Sequence, residues 1–152
     1  VLSGGMSSRL FTEVREKRGL AYAVAAEYHS LKDHAGIFVY AGTTPERAQQ
    51  TLEVTVAVLR GLAEGIGDEE LVRARTRVKS ALVMQGESTS ARADALAGDY
   101  FHLRRLRSLS EIAAAIDSVR GEDVLEYVRA FPARGFTMLT IGPRELDSSA
   151  LA

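Results

Sequence analysis

The sequence predicts an α+β fold, with helices packed on one face of a small, mostly antiparallel sheet. Three observations carry this. Leu20–Ser30 and Ala35–Gly42 are rich in aromatic, β-branched and small apolar residues that alternate with period two. Only the short polar link Leu31-Lys32-Asp33-His34 separates them, so an antiparallel hairpin is expected. A run of helical periodicities follows, between Thr43 and Phe131. Finally, Phe136–Ile141, stopped by Gly142-Pro143, reads as a late strand that rejoins the sheet, which puts the helices on one layer.

Taken in order, Val1-Leu2-Ser3-Gly4-Gly5 reads as the last turn and cap of a helix, with the double glycine a hinge. A helix over about Ser7–Lys17 follows, because Met6, Leu10 and Val14 recur at four-residue spacing with Phe11 beside them. Gly19 supplies its left-handed cap, and the first strand begins within a residue or two. On that strand Tyr22, Val24, Ala26 and Tyr28 share one face. On the second, Ile37, Val39 and Ala41 alternate with Phe38, Tyr40 and Gly42. The next helix starts either with Thr44 as N-cap before Pro45, or with Thr43 and Glu46 as a capping box. Leu52, Val56, Leu59 and Ala63 mark its buried side, and it ends near Gly65.

Asp68-Glu69-Glu70 places carboxylates at the positive end of the following helix, whose stripe is Leu71, Ala74, Val78, Ala81 and Leu82. Gly86 weakens it, and a second stretch runs from about Ser90 to Leu106 with Ala93, Leu96, Ala97, Tyr100 and Phe101 inward. Ser108 and Glu111 form a capping box for a short helix, and Glu122–Phe131 is the last before Pro132. Residues 1–143 are expected to form one domain and 144–152 a frayed tail.

Composition bounds the function classes. The chain has 152 residues, 46% hydrophobic and 26% charged, enough for one core. Its net charge of −1 gives no global pull towards nucleic acid or an anionic membrane. Arg73, Arg75, Arg77 and Lys79 cluster, as do Arg104, Arg105 and Arg107, but Glu69, Glu70, Glu87, Asp94 and Asp99 are interspersed, so solvated faces or a protein interface are expected rather than a nucleic-acid surface. No apolar run reaches the length of a membrane span. Without cysteine, disulfides and thiolate metal sites are excluded. The compartment stays open between cytoplasm and periplasm for a soluble protein.

Gly4-Gly5-Met6-Ser7-Ser8-Arg9-Leu10 and Arg15-Glu16-Lys17-Arg18-Gly19-Leu20-Ala21-Tyr22 organise the chain. This stretch resembles the signature of the pitrilysin-type (M16) zinc metallopeptidases, in the processing-peptidase-like subgroup. There it lies in the second, C-terminal domain, which carries no zinc ligands. The likeness continues more loosely through Ala41-Gly42-Thr43 and Glu87-Ser88-Thr89-Ser90-Ala91-Arg92 to Ile141-Gly142-Pro143. It implies the M16 α/β sandwich, here lacking an N-terminal strand and helix. It also implies a partner: a zinc-bearing N-terminal domain, on the same or a separate chain, that closes over peptide substrates. A sheet short of a strand would invite pairing, so a dimer or larger assembly is expected.

The chain's own residues do not read as a zinc site. The family's metal motif is His-x-x-Glu-His, whereas this chain has only His29, His34 and His102. His29 and His34 flank the hairpin link with Asp33 between, too few converging ligands for a structural or catalytic zinc. No cofactor is expected in this chain, and zinc is expected on the partner domain. The Gly4-Gly5 pair lacks the spacing and lysine of a phosphate-binding loop.

Arg15 and Tyr22 are the candidate site residues. They sit seven apart, in the last helical turn and at the head of the strand. An arginine offers a planar fork of donors to carbonyl oxygens, and a phenol can donate to a developing oxyanion. The plainer alternative has Arg15 pairing with helix carbonyls or Glu16 and Tyr22 packing on the sheet. The resemblance implies that the pair reaches across to the zinc domain, holds peptide carbonyls and helps stabilise the tetrahedral intermediate. Two functions follow as expectations. One is the substrate-binding, non-zinc domain of a zinc endopeptidase, inactive alone. The other is a non-catalytic structural or interaction subunit of the same fold.

Overall fold

The computed structural model describes residues 1–151. They fall into two units. One comprises Val1–Ser30, Ala35–Gly65 and the chain from Leu125; the other comprises Leu31–His34 and Ile66–Val124.

The first unit is built on a hairpin of β1 (Ala21–Ser30) and β2 (Ala35–Thr43), antiparallel from Ala21↔Thr43 to Ser30↔Ala35. Period-two alternation sends Val24, Ala26 and Val39 to one face. They pack there against Leu10, Val14, Leu20 and Ala21, which form the buried core with Val54 and Val58 of α1 (Ala48–Arg60). Helices thus cover one face of a small antiparallel sheet. The sheet has two strands among the described residues, and Phe136–Ile141 is not a third. Its side chains favour an extended backbone, but a strand also needs a ladder partner. Leu139 and Ile141 are almost fully exposed.

The helix expected over Ser7–Lys17 opens at Arg9 and is π-helical over Phe11–Glu16. The Lys17 amide donates to the Thr12 carbonyl, five residues back, instead of four (2.9 Å). Gly19 (φ 58°) caps it, as its freedom to take positive φ allows. The cap bonds run from Gly19 to Arg15 (3.0 Å) and from Leu20 to Val14 (2.9 Å). Each spans one residue more than in the ordinary glycine cap, matching the wider turn. Gly19→Ala forces a β-carbon into this left-handed position and should cost about 1 kcal/mol in denaturant unfolding. Val1 and Leu2 do not close a preceding helix. Their carbonyls accept from the Arg9 and Leu10 amides (both 3.1 Å), satisfying donors left open at the helix start.

α1 starts later than expected, after a turn in which the Arg47 amide donates to the Thr44 carbonyl (3.1 Å). Neither proposed cap forms at its N-cap, Arg47. Thr43 is spent elsewhere, and Thr44 instead hydrogen-bonds Glu46, helping hold that carboxyl below its usual range after the bond from the glutamate's own backbone. Thr51, Thr55, Val56 and Leu59 are its buried residues. Beyond it, Asp147 is tied to Gln49 by two hydrogen bonds (2.9 and 3.2 Å), where fraying was expected.

The second unit holds α2 (Asp68–Gly86), α3 (Thr89–Leu103) and α4 (Leu109–Ser118); its boundary falls within α5 (Gly121–Ala130). Glu70 reaches back to the Gly67 amide at the start of α2 (3.2 Å). Gly86 ends α2 instead of lying inside a longer helix, and Ser88 caps α3 through the Ala91 amide (3.3 Å). Ser108 caps α4 through the Glu111 amide (3.1 Å), but Glu111 turns to Arg105 (2.6 Å) and leaves the box half formed. Leu71 alone of the α2 stripe is buried, and Leu96, Tyr100 and Phe101 of α3, expected inward, are exposed. Periodicity locates an apolar face but not what covers it.

Asp99 accepts from the Arg107 guanidinium (2.6 Å) and amide (3.0 Å), which holds its carboxyl below the usual range, the guanidinium bond first. A depressed native pKa contributes stability above the unfolded value, near 4. That contribution is lost as pH falls through the native value. Acid unfolding profiles of Asp99→Asn and the native chain should therefore converge below about pH 4.

Candidate functional site

The site sits where the π-helix, its glycine cap and β1 meet. Leu20 is the pivot. Its carbonyl accepts from the Thr43 hydroxyl (2.5 Å), and Thr51, 3% exposed, lies beside both, 3.1 Å from the Thr43 oxygen. The Gly19 carbonyl accepts from the Arg47 guanidinium. Side chains of β2 and α1 thus claim the carbonyls at the corner, and the regular ladder is interrupted there.

The interruption is a β-bulge at Tyr22. Ala21 pairs with Thr43 and Ala23 with Gly42, so Tyr22 has no partner of its own. In an uninterrupted strand Tyr22 would join Val24 and Ala26 on the packed face, as period two predicts. The bulge re-aims it instead. Its ring lies across Gly42, where a β-carbon would come within 2.6 Å of the hydroxyl oxygen and closer still to the ring. Gly42 shares the open face with Tyr40 and Phe38. The Tyr40 phenol is held above its ordinary pKa, first by its hydrogen bond to Tyr22 and then by repulsion from a Tyr22 phenolate. Tyr22 is 68% exposed, so its hydroxyl edge is reachable.

Arg15 is exposed on the last turn of the π-helix. Lys17 (2.6 Å) and Arg18 (2.5 Å) take Glu13, which lowers that carboxyl's pKa, the Lys17 bond first. Among the described residues the Arg15 guanidinium makes no hydrogen bond or ion pair; it lies 5.1 Å from the Phe11 ring centroid. Pairing with helix carbonyls or Glu16, the plainer alternative for Arg15, is not what the structure places there. Tyr22 does lie on the sheet, as that alternative has it, but on the open face over Gly42. Both side chains are carried by adjoining elements of one unit. Reading the sequence alone misses Gly42 as the residue that the Tyr22 ring lies over. A glycine late in an otherwise side-chain-rich strand was the available signal.

The other candidates are structural. His29 sits 3.3 Å from Glu27 and edge-on to Phe38 (5.0 Å), His34 lies in the hairpin link, and His102 stacks edge-on with Phe101. Among the described residues no group of three or more histidines and carboxylates could hold a metal ion. Most of the basic clusters are occupied. Arg73 meets Glu69, Lys79 meets Asp117, Arg105 meets Glu111, Arg107 meets Asp99, and Arg75 donates to the Val119 carbonyl. Gly4 and Gly5 form a bend, with the Ser8 amide on the Gly5 carbonyl (3.0 Å). No described helix is long and apolar enough to cross a membrane.

Residues 1–78 match the sequence family described as the peptidase M16 inactive domain. A protein of Rickettsia felis named an uncharacterized zinc protease is 30% identical over 147 residues, 96% of this chain and 35% of its own length. One of Streptomyces coelicolor, named likewise, is 37% identical over 144 residues, 93% of this chain and 31% of its own. The chain thus spans about a third of the curated relatives it matches. The crystal structure of a peptidase M16 inactive domain from Pseudomonas fluorescens superposes with a TM-score of 0.74 at 25% identity, covering 86% of this chain and 31% of that one. Matched by that family over residues 1–78, more than half of its length, the chain belongs to the peptidase M16 inactive-domain family.

Proposed function

We propose that this chain is the substrate-binding, non-zinc domain of a zinc-dependent endopeptidase, with Arg15 and Tyr22 its contacts to the peptide. One observation carries the reading: a bulge turns Tyr22 off the core face and leaves its phenol exposed. A residue needed only for packing would follow the strand's alternation inward. In this role Arg15 donates to carbonyl oxygens of an extended peptide, and Tyr22 donates to the oxygen that gains charge as the scissile carbonyl becomes tetrahedral. The metal's chemistry, activation of water and polarisation of the carbonyl, comes from a separate zinc-bearing domain. Residues 1–143 form the body of the domain in this reading.

The test is peptide cleavage by the complete peptidase, zinc domain included, with Tyr22→Phe and Arg15→Lys. Loss of turnover by folded variants supports the reading. Wild-type cleavage by both, at saturating and at low substrate, refutes it and leaves a structural or interaction subunit. By the same reading, the purified 152-residue chain, washed with chelator, should retain no stoichiometric zinc by elemental analysis and cleave no peptide. We also propose that the hairpin's open edges associate, with a second copy or with the zinc domain. Light scattering of the chain alone at high concentration should give more than the monomer mass of 16.5 kDa.

A further inference from the structure

We propose that Gly42 is a positioning residue for Tyr22: by lacking a β-carbon it gives the bulged ring a seat on β2, and so fixes where the phenol hydroxyl stands. This rests on the reading of Tyr22 as a transition-state donor and names what places that donor.

Three observations converge. The bulge leaves Tyr22 without a ladder partner of its own, so the ring is placed by what lies beneath it. Beneath it is Gly42. A β-carbon there would come within 2.6 Å of the hydroxyl oxygen and 2.9 Å of a ring carbon, closer than a β-carbon can sit, and the three nearest atoms it would meet all belong to Tyr22. Gly42 is buried, although Phe38 and Tyr40 on the same open face are exposed; the ring above it accounts for the difference. Finally, the backbone does not ask for a glycine at this position. Among the described residues Gly4, Gly19, Gly65 and Gly135 take positive φ, and Gly42 does not. A residue with a side chain would suit the strand's dihedrals, and a glycine inside a strand gives up stability. The space that the missing β-carbon leaves is the space the ring uses. A donor that is 68% exposed would otherwise sample several rotamers and lose part of its value, because electrostatic stabilisation depends on a dipole already aimed. Gly42 itself touches no substrate in this arrangement, since the ring lies over it.

The experiment compares Gly42→Ala, Tyr22→Phe and the double variant in the complete peptidase, with kcat and KM measured separately and Gly36→Ala as control. The methyl added at Gly42 pushes an exposed ring outward, which leaves the fold intact but displaces the hydroxyl. Gly42→Ala should lower kcat roughly ten- to a hundredfold with KM little changed, as loss of a contact made only in the transition state does. Gly36 lies on the same face of the same strand, and a β-carbon there would stand 3.7 Å from Phe38, an ordinary contact, so Gly36→Ala should turn over as wild type. The double variant should be no slower than Tyr22→Phe alone, because Gly42 acts through the Tyr22 hydroxyl. A Gly42→Ala enzyme at wild-type kcat, beside a crippled Tyr22→Phe, overturns the positioning role and leaves the proposed function standing. Losses that multiply in the double variant, or an equal loss in Gly36→Ala, also overturn it. A fully active Tyr22→Phe refutes the proposed function, and the positioning role with it.

A second readout is independent of turnover and of whether Gly42→Ala folds. In the complete peptidase labelled at glycine, the Gly42 α-protons should carry a ring-current displacement in the NMR spectrum that vanishes in Tyr22→Ala. Unmoved α-protons in that variant mean that the ring does not rest on Gly42, and the inference falls whatever the activities are.

Discussion

Tyr22→Phe in the complete peptidase lowers kcat by about a hundredfold or more, while the unfolding midpoint stays close to that of the native protein. The two halves of this expectation have different causes. The ring lies on the open face, over Gly42, and phenylalanine fills the same space, so packing is preserved. Only the hydroxyl is lost, from a side chain that is 68% exposed, so little stability goes with it. In the proposed role the same hydroxyl would face a developing negative charge in a site closed to water, where a fixed donor counts for far more. Arg15→Lys keeps the charge but replaces a planar fork with a single ammonium and should also be slow. Steady-state kinetics with thermal unfolding of each variant separates the outcomes. A fall in the unfolding midpoint that tracks the fall in kcat would assign both residues to the scaffold.

The hairpin was legible because period two, β-branched and aromatic content and a short polar link all agree. Its observed ends, Ala21–Ser30 and Ala35–Thr43, lie within a residue of the expected ones. The bulge was not legible. It follows from the Thr43 hydroxyl claiming the Leu20 carbonyl, 23 residues away, and no local pattern carries such a bond. Tyr22 was therefore read onto the face of Val24 and Ala26, whereas the bulge turns it to the other. The π-turn escaped for a different reason: Leu10 and Val14 at four-residue spacing suit the α- and π-forms alike. Phe136–Ile141 and the α3 stripe share one further cause. Propensity and periodicity describe what a segment could bury or pair with, and the partner must come from elsewhere. Arg15 was legible as a candidate from its place before the glycine. That its guanidinium lies by the Phe11 ring and not on Glu16 was not.

Leu10→Ala should be the most destabilising single truncation in the first unit, by about 2–5 kcal/mol. Leu10 and Val14 are the largest fully buried side chains, both 0% exposed, and Leu10 is the larger. It packs in the cluster with Val14, Leu20 and Ala21, against which Val24, Ala26 and Val39 of the sheet and Val54 and Val58 of α1 are laid. Removing its branched end leaves a void bordered by elements with little freedom to close. The π-helix is pinned at its start by Val1 and Leu2 and at its end by the Gly19 cap. For a chain of this length the loss corresponds to a fall in Tm of roughly 5–15 °C. Val14→Ala removes less volume and should cost less. The same truncation tests the link between core and site. Arg15 and Tyr22 are exposed, so Leu10→Ala touches neither, yet it loosens the helix that carries one and the corner that aims the other. Denaturant unfolding should show the midpoint falling with the slope unchanged. A loss below 1 kcal/mol would mean that the corner is held by its hydrogen bonds from Thr43 and Arg47, and not by this core.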